Sequence, residues 1–119
     1  MDFLDQPKPR VNGSMLPKYQ GSIVCLLGVL KNVDPNGSSL TLTLSDGIDA
    51  QVHLQSPLDR PIEGLVEVIG QVGANPRQIT GLNLISHGDK DFDMGLYDDV
   101  LKVTHEFPQY YRLGGPDDN

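Results

Sequence analysis

Between Ser22 and Ser86 the chain reads as strands, and from Asp93 to Phe107 the apolar period lengthens from two to about 3.6. The run Ile23-Val24-Cys25-Leu26-Leu27-Gly28-Val29-Leu30 is almost continuously apolar, as in a strand covered on both faces. Gly28 interrupts it and predicts a bulge or a sharp bend. Asp34-Pro35-Asn36-Gly37 is a turn signal. In the next segment Leu40, Leu42 and Leu44 fall on one face, with Thr41 and Thr43 on the other. Ser45-Asp46-Gly47 predicts a tight hairpin connection. Beyond it Ile48, Ala50, Val52 and Leu54 alternate inward, while Asp49, Gln51, His53 and Gln55 alternate outward. Leu65 to Val72 gives a fourth strand, Gly73-Ala74-Asn75-Pro76 a turn, and Ile79 to Ser86 a fifth strand.

Five short strands at this spacing suit a small closed barrel better than a sheet with open edges. One bent, doubly covered first strand favours a five-stranded OB-fold barrel over an SH3-like barrel or a small sandwich. The expected fold is therefore all-β with a terminal helix, in a single domain. Residues 1–20 form an N-terminal arm lying on the domain, with one short helical turn around Ser14 to Lys18. Residues 21–90 form the barrel, 91–111 the helix and an aromatic tail, and 112–119 a flexible tail.

The helix has defined ends. Asp93 is the expected N-cap, Phe92 and Tyr97 occupy the hydrophobic-staple positions, and Asp98 and Lys102 form an i,i+4 pair. Pro108 disfavours helical geometry at Phe107. Leu96, Val100, Val103 and Phe107 follow a 4-3-4 spacing, an a/d seam, which Tyr97, Leu101 and Thr104 widen on one flank. The other side carries Asp98, Asp99, Lys102, His105 and Glu106.

An amphipathic terminal helix ordinarily lays its apolar stripe on its own domain. A closed barrel, however, has turned its leucines and valines inward and offers little apolar outer surface. Five of the chain's aromatics (Phe92, Tyr97, Phe107, Tyr110, Tyr111) also lie in this last segment, and aromatics are enriched at interface cores. The seam is therefore expected to meet partner helices. Burying its four residues is worth about 6–12 kcal/mol, against an association cost of about 4–15 kcal/mol. A bundle with more than one partner helix fits these magnitudes better than a pair.

Composition narrows the function. Sixteen acids against nine bases give a net charge of −7, which opposes tight autonomous binding to nucleic acid. The single cysteine, Cys25, permits no internal disulfide and no cysteine-based metal site, in keeping with a reducing compartment, cytosol or nucleus. No run approaches the ~18 apolar residues of a membrane span. The three histidines are isolated, the glycines mark turns rather than a phosphate loop, and nothing specifies a catalytic site, a cofactor or a small-molecule substrate. Direct binding of single-stranded DNA remains the principal alternative. OB barrels that hold single strands use aromatic stacking platforms in a basic groove, yet no Phe, Tyr or Trp lies between Gly21 and Gly88. Lys8, Arg10, Lys18, Lys31 and Arg77 are left as auxiliary nucleic-acid contacts.

Leu44-Ser45-Asp46-Gly47, then Pro57-Leu58-Asp59 leading into Gly64-Leu65-Val66-Glu67-Val68-Ile69-Gly70, resembles the smallest subunit of replication protein A. The most specific stretch is Gly95-Leu96-Tyr97, Val100 to Val103, His105-Glu106-Phe107-Pro108-Gln109-Tyr110-Tyr111 and Leu113-Gly114. The resemblance spans about Pro9 to Gly114. It implies an OB fold with a C-terminal helix, in a nuclear heterotrimer that coats single-stranded DNA mainly through the large and middle subunits. It further implies that one helix from each subunit forms a three-helix bundle. The interface would then map onto Leu96, Tyr97, Val100, Leu101, Val103, Thr104 and Phe107. The chain departs from the pattern in its short turn at Asp46-Gly47, where longer loops are usual, so the resemblance carries no DNA contact to that loop. The same design would also serve as an adaptor of a telomere-capping complex.

Overall fold

The computed structural model describes residues 8–88 and 91–107. Tyr110, Tyr111, Pro108 and the expected flexible tail lie outside the described residues. Five strands, β1 (Ile23–Val33), β2 (Ser39–Leu44), β3 (Asp49–Leu54), β4 (Leu65–Val72) and β5 (Gln78–Gly88), close a barrel in the order β1-β2-β3-β5-β4. The neighbouring pairs are antiparallel except β3 with β5, whose parallel register from Gln51↔Gln78 to Leu54↔Gly81 closes the barrel. A helix, α1 (Met94–Glu106), follows. This is the OB-type barrel with a terminal helix.

The alternating positions sort as their chemistry requires. Leu40, Leu42, Leu44, Ala50 and Val52 are buried with Val24, Leu26, Val66, Val68, Val72 and Ile79 in one core. At the β1–β2 turn Gly37 N donates to Asp34 O at 2.8 Å, and Asn36 N donates to the Asp34 carboxylate at 2.8 Å. At the hairpin Gly47 takes a φ of 83°, a conformation that favours glycine.

Two expectations need correction. The bulge in β1 falls between Leu30 and Asn32, not at Gly28, which stays in register with Leu44 on one side and Val66 on the other. Gly28 instead permits close approach: a Cβ there would lie 2.8 Å from Thr43 O and 3.2 Å from Leu42 Cβ. The arm, too, does more than lie on the barrel. Val11 and Leu16 belong to the core, and Asn12 and Gly13 are buried with them. The arm turns through a 3-10 helix (Gly13–Tyr19) that Asn12 caps by accepting from Met15 N. Just before it, Cys25 N donates to Pro9 O at 2.9 Å and Val11 N to Cys25 O at 3.2 Å, so the arm fills the part of the β1 edge that β2 leaves open.

Close strand approach also sets the tolerance of the barrel. A Cβ at Gly70 would lie 2.5 Å from Ile79 Cγ2 and 2.8 Å from Thr80 O, and the backbone carbonyl cannot swing away. Gly70→Val is expected to lower stability by about 1–3 kcal/mol, measured by urea denaturation; an unchanged midpoint would contradict the tight β4–β5 corner.

Candidate functional site

The terminal helix starts and stops as its sequence requires. Asp93 is extended at the N-cap and accepts from Leu96 N, and Phe92 packs against Tyr97 with ring centroids 5.8 Å apart. Phe107 leaves helical geometry at φ −123°, ψ 62°.

The orientation of the helix is the informative part. Leu96, Val100, Val103 and Phe107 are 60, 52, 43 and 42% exposed, so the four seam residues point away from the barrel. Leu101 is buried, and Tyr97 and Thr104 are half-buried. The seven expected interface residues therefore divide. Four form an open face, while Tyr97, Leu101 and Thr104 belong to the side turned toward the protein's own barrel. β1 is apolar on its outer face as well as its inner one. Its outward residues Cys25 and Leu27 are buried, as is Leu65 beside them on β4. Tyr97 stands within reach of Cys25, Arg10 and Glu67, and burial raises its pKa.

Asp98 is the larger surprise. Expected on the solvent side, it is only 5% exposed. Its carboxylate accepts from Asn12 Nδ2 at 2.8 Å, from Ser45 Oγ at 2.7 Å, and from Lys102 Nζ at 3.0 Å. Burial alone would raise its pKa, but hydrogen bonds from Asn12, Ser45 and Lys102 outweigh it and hold the carboxyl below its ordinary value. Two turns later His105 Nε2 lies 2.8 Å from Arg10 O. A carbonyl can only accept, so Nε2 carries the hydrogen and Nδ1 is left to face the Tyr19 hydroxyl at 3.4 Å.

A second polar cluster ties the arm to the barrel. Glu67 accepts from Arg10 at 3.0 Å, from the Cys25 thiol at 3.0 Å and from His87 at 3.1 Å. Burial opposes the Glu67 charge, and the hydrogen bonds from Cys25, His87 and Arg10 lower its pKa in spite of it. Burial, reinforced by Glu67, pushes the Cys25 thiol up to about 12, so it is a poor nucleophile.

Of the basic residues expected to touch nucleic acid, Lys31 and Arg77 both stand close enough to Asp49 to act on its charge, while the others lie along the arm. Arg10 is held by Glu67, and Lys31 is paired with Asp49 at 2.7 Å. Lys8 is half-buried and engaged, Lys18 is exposed on the 3-10 turn, and Arg77 is exposed between β4 and β5. On the outer face of β2 and β3 the side chains bond to one another: Thr43 to Asp49 at 2.8 Å, Gln51 to Thr41 at 3.2 Å, and His53 to Gln78 on β5. No aromatic stands among them. Among the described residues, no cluster of three His, Cys, Asp or Glu side chains is placed to hold a metal ion, and no helix is long and apolar enough to cross a membrane.

Asp98 and Glu67 have folded-state pKa values below their unfolded ones. Their stabilisation is complete above the ordinary carboxyl range near ~4 and is lost as pH falls through the lowered folded values. Denaturation between pH 7 and pH 2 is expected to show this acid-side loss, with a shallower slope in Asp98→Asn; an identical slope would separate Asp98 from it.

Comparison with known proteins agrees with this geometry. The chain is similar to a chain in the structure of U. maydis replication protein A bound to single-stranded DNA, with a TM-score of 0.80 and 24% identity, covering 97% of this chain and 100% of that one. It is also similar to the telomere capping protein Ten1 of S. pombe, with a TM-score of 0.65 and 12% identity over 83% of this chain and 98% of that one. A chain of yeast replication protein A bound to single-stranded DNA gives 0.64 and 13%, over 87% and 97%. At these identities the structures establish the shared fold. The family model of replication factor A protein 3 matches residues 4–111. The chain belongs to that family, the smallest subunit of replication protein A.

Proposed function

We propose that this chain is the non-catalytic assembly subunit of a nuclear replication protein A heterotrimer, joining the large and middle subunits through α1 in a three-helix bundle. The observation that carries the reading is the open face of Leu96, Val100, Val103 and Phe107, four apolar residues at a/d spacing turned away from the barrel. With these side chains already 40–58% covered in the chain alone, roughly half of their burial energy is still available, about 3–6 kcal/mol. That sits at the lower edge of the ~4–15 kcal/mol cost of association. Contacts to two partner helices, with Phe92 also 42% exposed at the helix entrance, bring in the further burial that a stable assembly requires.

The Ten1 likeness extends to a telomere-capping adaptor as far as the fold does, but the family match favours replication protein A. In the assembly, single-stranded DNA is held chiefly by the partner subunits. The outer face of β2 and β3 lacks stacking rings, and Lys31 beside it is already paired with Asp49. Stacking contributes ~1–3 kcal/mol per base in barrels that bind single strands.

Co-expression of a Val100→Asp, Phe107→Asp variant with the large and middle subunits is expected to give no intact trimer. The variant barrel by itself should keep its circular dichroism spectrum, because both positions are exposed. Recovery of the trimer in normal yield would refute the seam. Titrated by itself with labelled oligonucleotide at moderate salt, the unmodified chain is expected to bind more weakly than about micromolar. Tighter binding, lost in Lys18→Glu, Arg77→Glu, would assign it a direct DNA contact.

A further inference from the structure

The apolar stripe of α1 points the wrong way for hydrophobic docking. The side that meets the barrel presents Tyr97, Asp98, Leu101, Thr104 and His105, and only Asp98 and Leu101 among the helix residues are buried. The adjoining side, turned away from the barrel, presents Leu96, Val100, Val103 and Phe107 to solvent. Apolar burial is non-directional and proportional to area, so by itself it would roll the helix to bring the four-residue seam onto the protein. Some directional interaction opposes that rotation.

Besides His105 Nε2, which meets Arg10 O near the far end of the helix, the directional contacts converge on one carboxylate. Asp98 Oδ1 receives Asn12 Nδ2 from the arm and Ser45 Oγ from the β2–β3 hairpin. Asn12 is fully buried and is fixed at its other end, where its carbonyl oxygen accepts from Ser14 Oγ at 3.0 Å and Met15 N at 3.2 Å. The hairpin is fixed to the same arm: Asp46 accepts from Gly13 N at 3.1 Å and Ser14 N at 2.9 Å. Rolling the helix would carry Asp98 away from both donors and strand a buried amide, which is costly in a way that loss of a surface contact is not.

We propose that Asn12, Ser45 and Asp98 form a positioning latch that sets the rotation of α1 about its axis and keeps the apolar seam facing outward. Its role in aiming the seam at partner helices rests on the assembly function proposed above; the latch itself is a property of the free chain and is testable without partners.

The test is thiol labelling of Val100→Cys in the full-length chain with a maleimide. The native Cys25 is buried and its thiol is a poor nucleophile, so it contributes little background. Val100→Cys in the otherwise unchanged chain should label at close to the rate of a free thiol. Adding Asp98→Ala should slow labelling about tenfold as the seam rolls inward, the change expected from losing one or two hydrogen bonds to a charged group. Adding Asp98→Asn, which keeps an acceptor oxygen for Asn12 and Ser45, should restore most of the rate. A merely structural role would loosen the helix and leave labelling unchanged or faster, and that result overturns the latch. Should Asp98→Ala fail to fold, Ser45→Ala removes one donor from the hairpin and is expected to slow labelling in the same direction by a smaller factor; no slowing there overturns the proposal equally. Failure of the assembly reading would show separately, as a Val100→Asp, Phe107→Asp chain that still forms the trimer.

Discussion

A carboxylate removed from water must have its charge met by hydrogen bonds, and the donors that meet Asp98 stand at fixed places on two other segments of the chain. Asn12 is locked in the arm and Ser45 in the β2–β3 hairpin, so the helix has one rotational setting in which Asp98 is satisfied. Everything distinctive about the outer surface follows from that setting. Leu101 is buried, the Tyr97 hydroxyl is tucked in beside Arg10, and the apolar seam stands in water. On the barrel, Cys25 is buried on the outer face of β1 within reach of Tyr97. The arm joins the barrel through Glu67, which draws together Arg10, Cys25 and His87.

Most of the barrel was legible in the sequence because its determinants are local. The alternation of Leu40, Leu42 and Leu44, the Asp34–Gly37 turn and the Asp46-Gly47 hairpin each depend on residues a few positions apart. The helix ends were legible for the same reason, through Asp93, the Phe92–Tyr97 staple and the break at Phe107. What escaped was long-range. Asp98 forms a good i,i+4 pair with Lys102 and so reads as a surface residue, yet its deciding partners lie 86 and 53 positions away. Val11 and Leu16 carry no periodic signal that would place them in the core. The covering of the outer face is foreshadowed by the nearly continuous apolar run of β1, because a strand covered on both faces needs something on the outside.

The face of β2 and β3 illustrates how the same scaffold is turned toward or away from nucleic acid. Thr41, Thr43, Asp49, Gln51 and His53 satisfy one another and their neighbours Lys31 and Gln78. Hydrogen bonds from Lys31 and Thr43 hold the Asp49 carboxyl below its ordinary pKa, and its charge is paired with that of Lys31. On this surface the polar groups are already paired, and no aromatic ring stands among them.

The 86-residue separation of Asn12 and Asp98 also bears on the order in which the molecule is completed. During synthesis the arm and the barrel strands emerge before the helix. The carboxylate that seats the helix thus finds its donors only where the arm has already threaded into the core and the hairpin has already closed. A barrel with a misregistered hairpin or a displaced arm has no seat for Asp98 and no fixed seam to offer. The setting of the apolar seam is in this way a readout of whether the rest of the chain has folded.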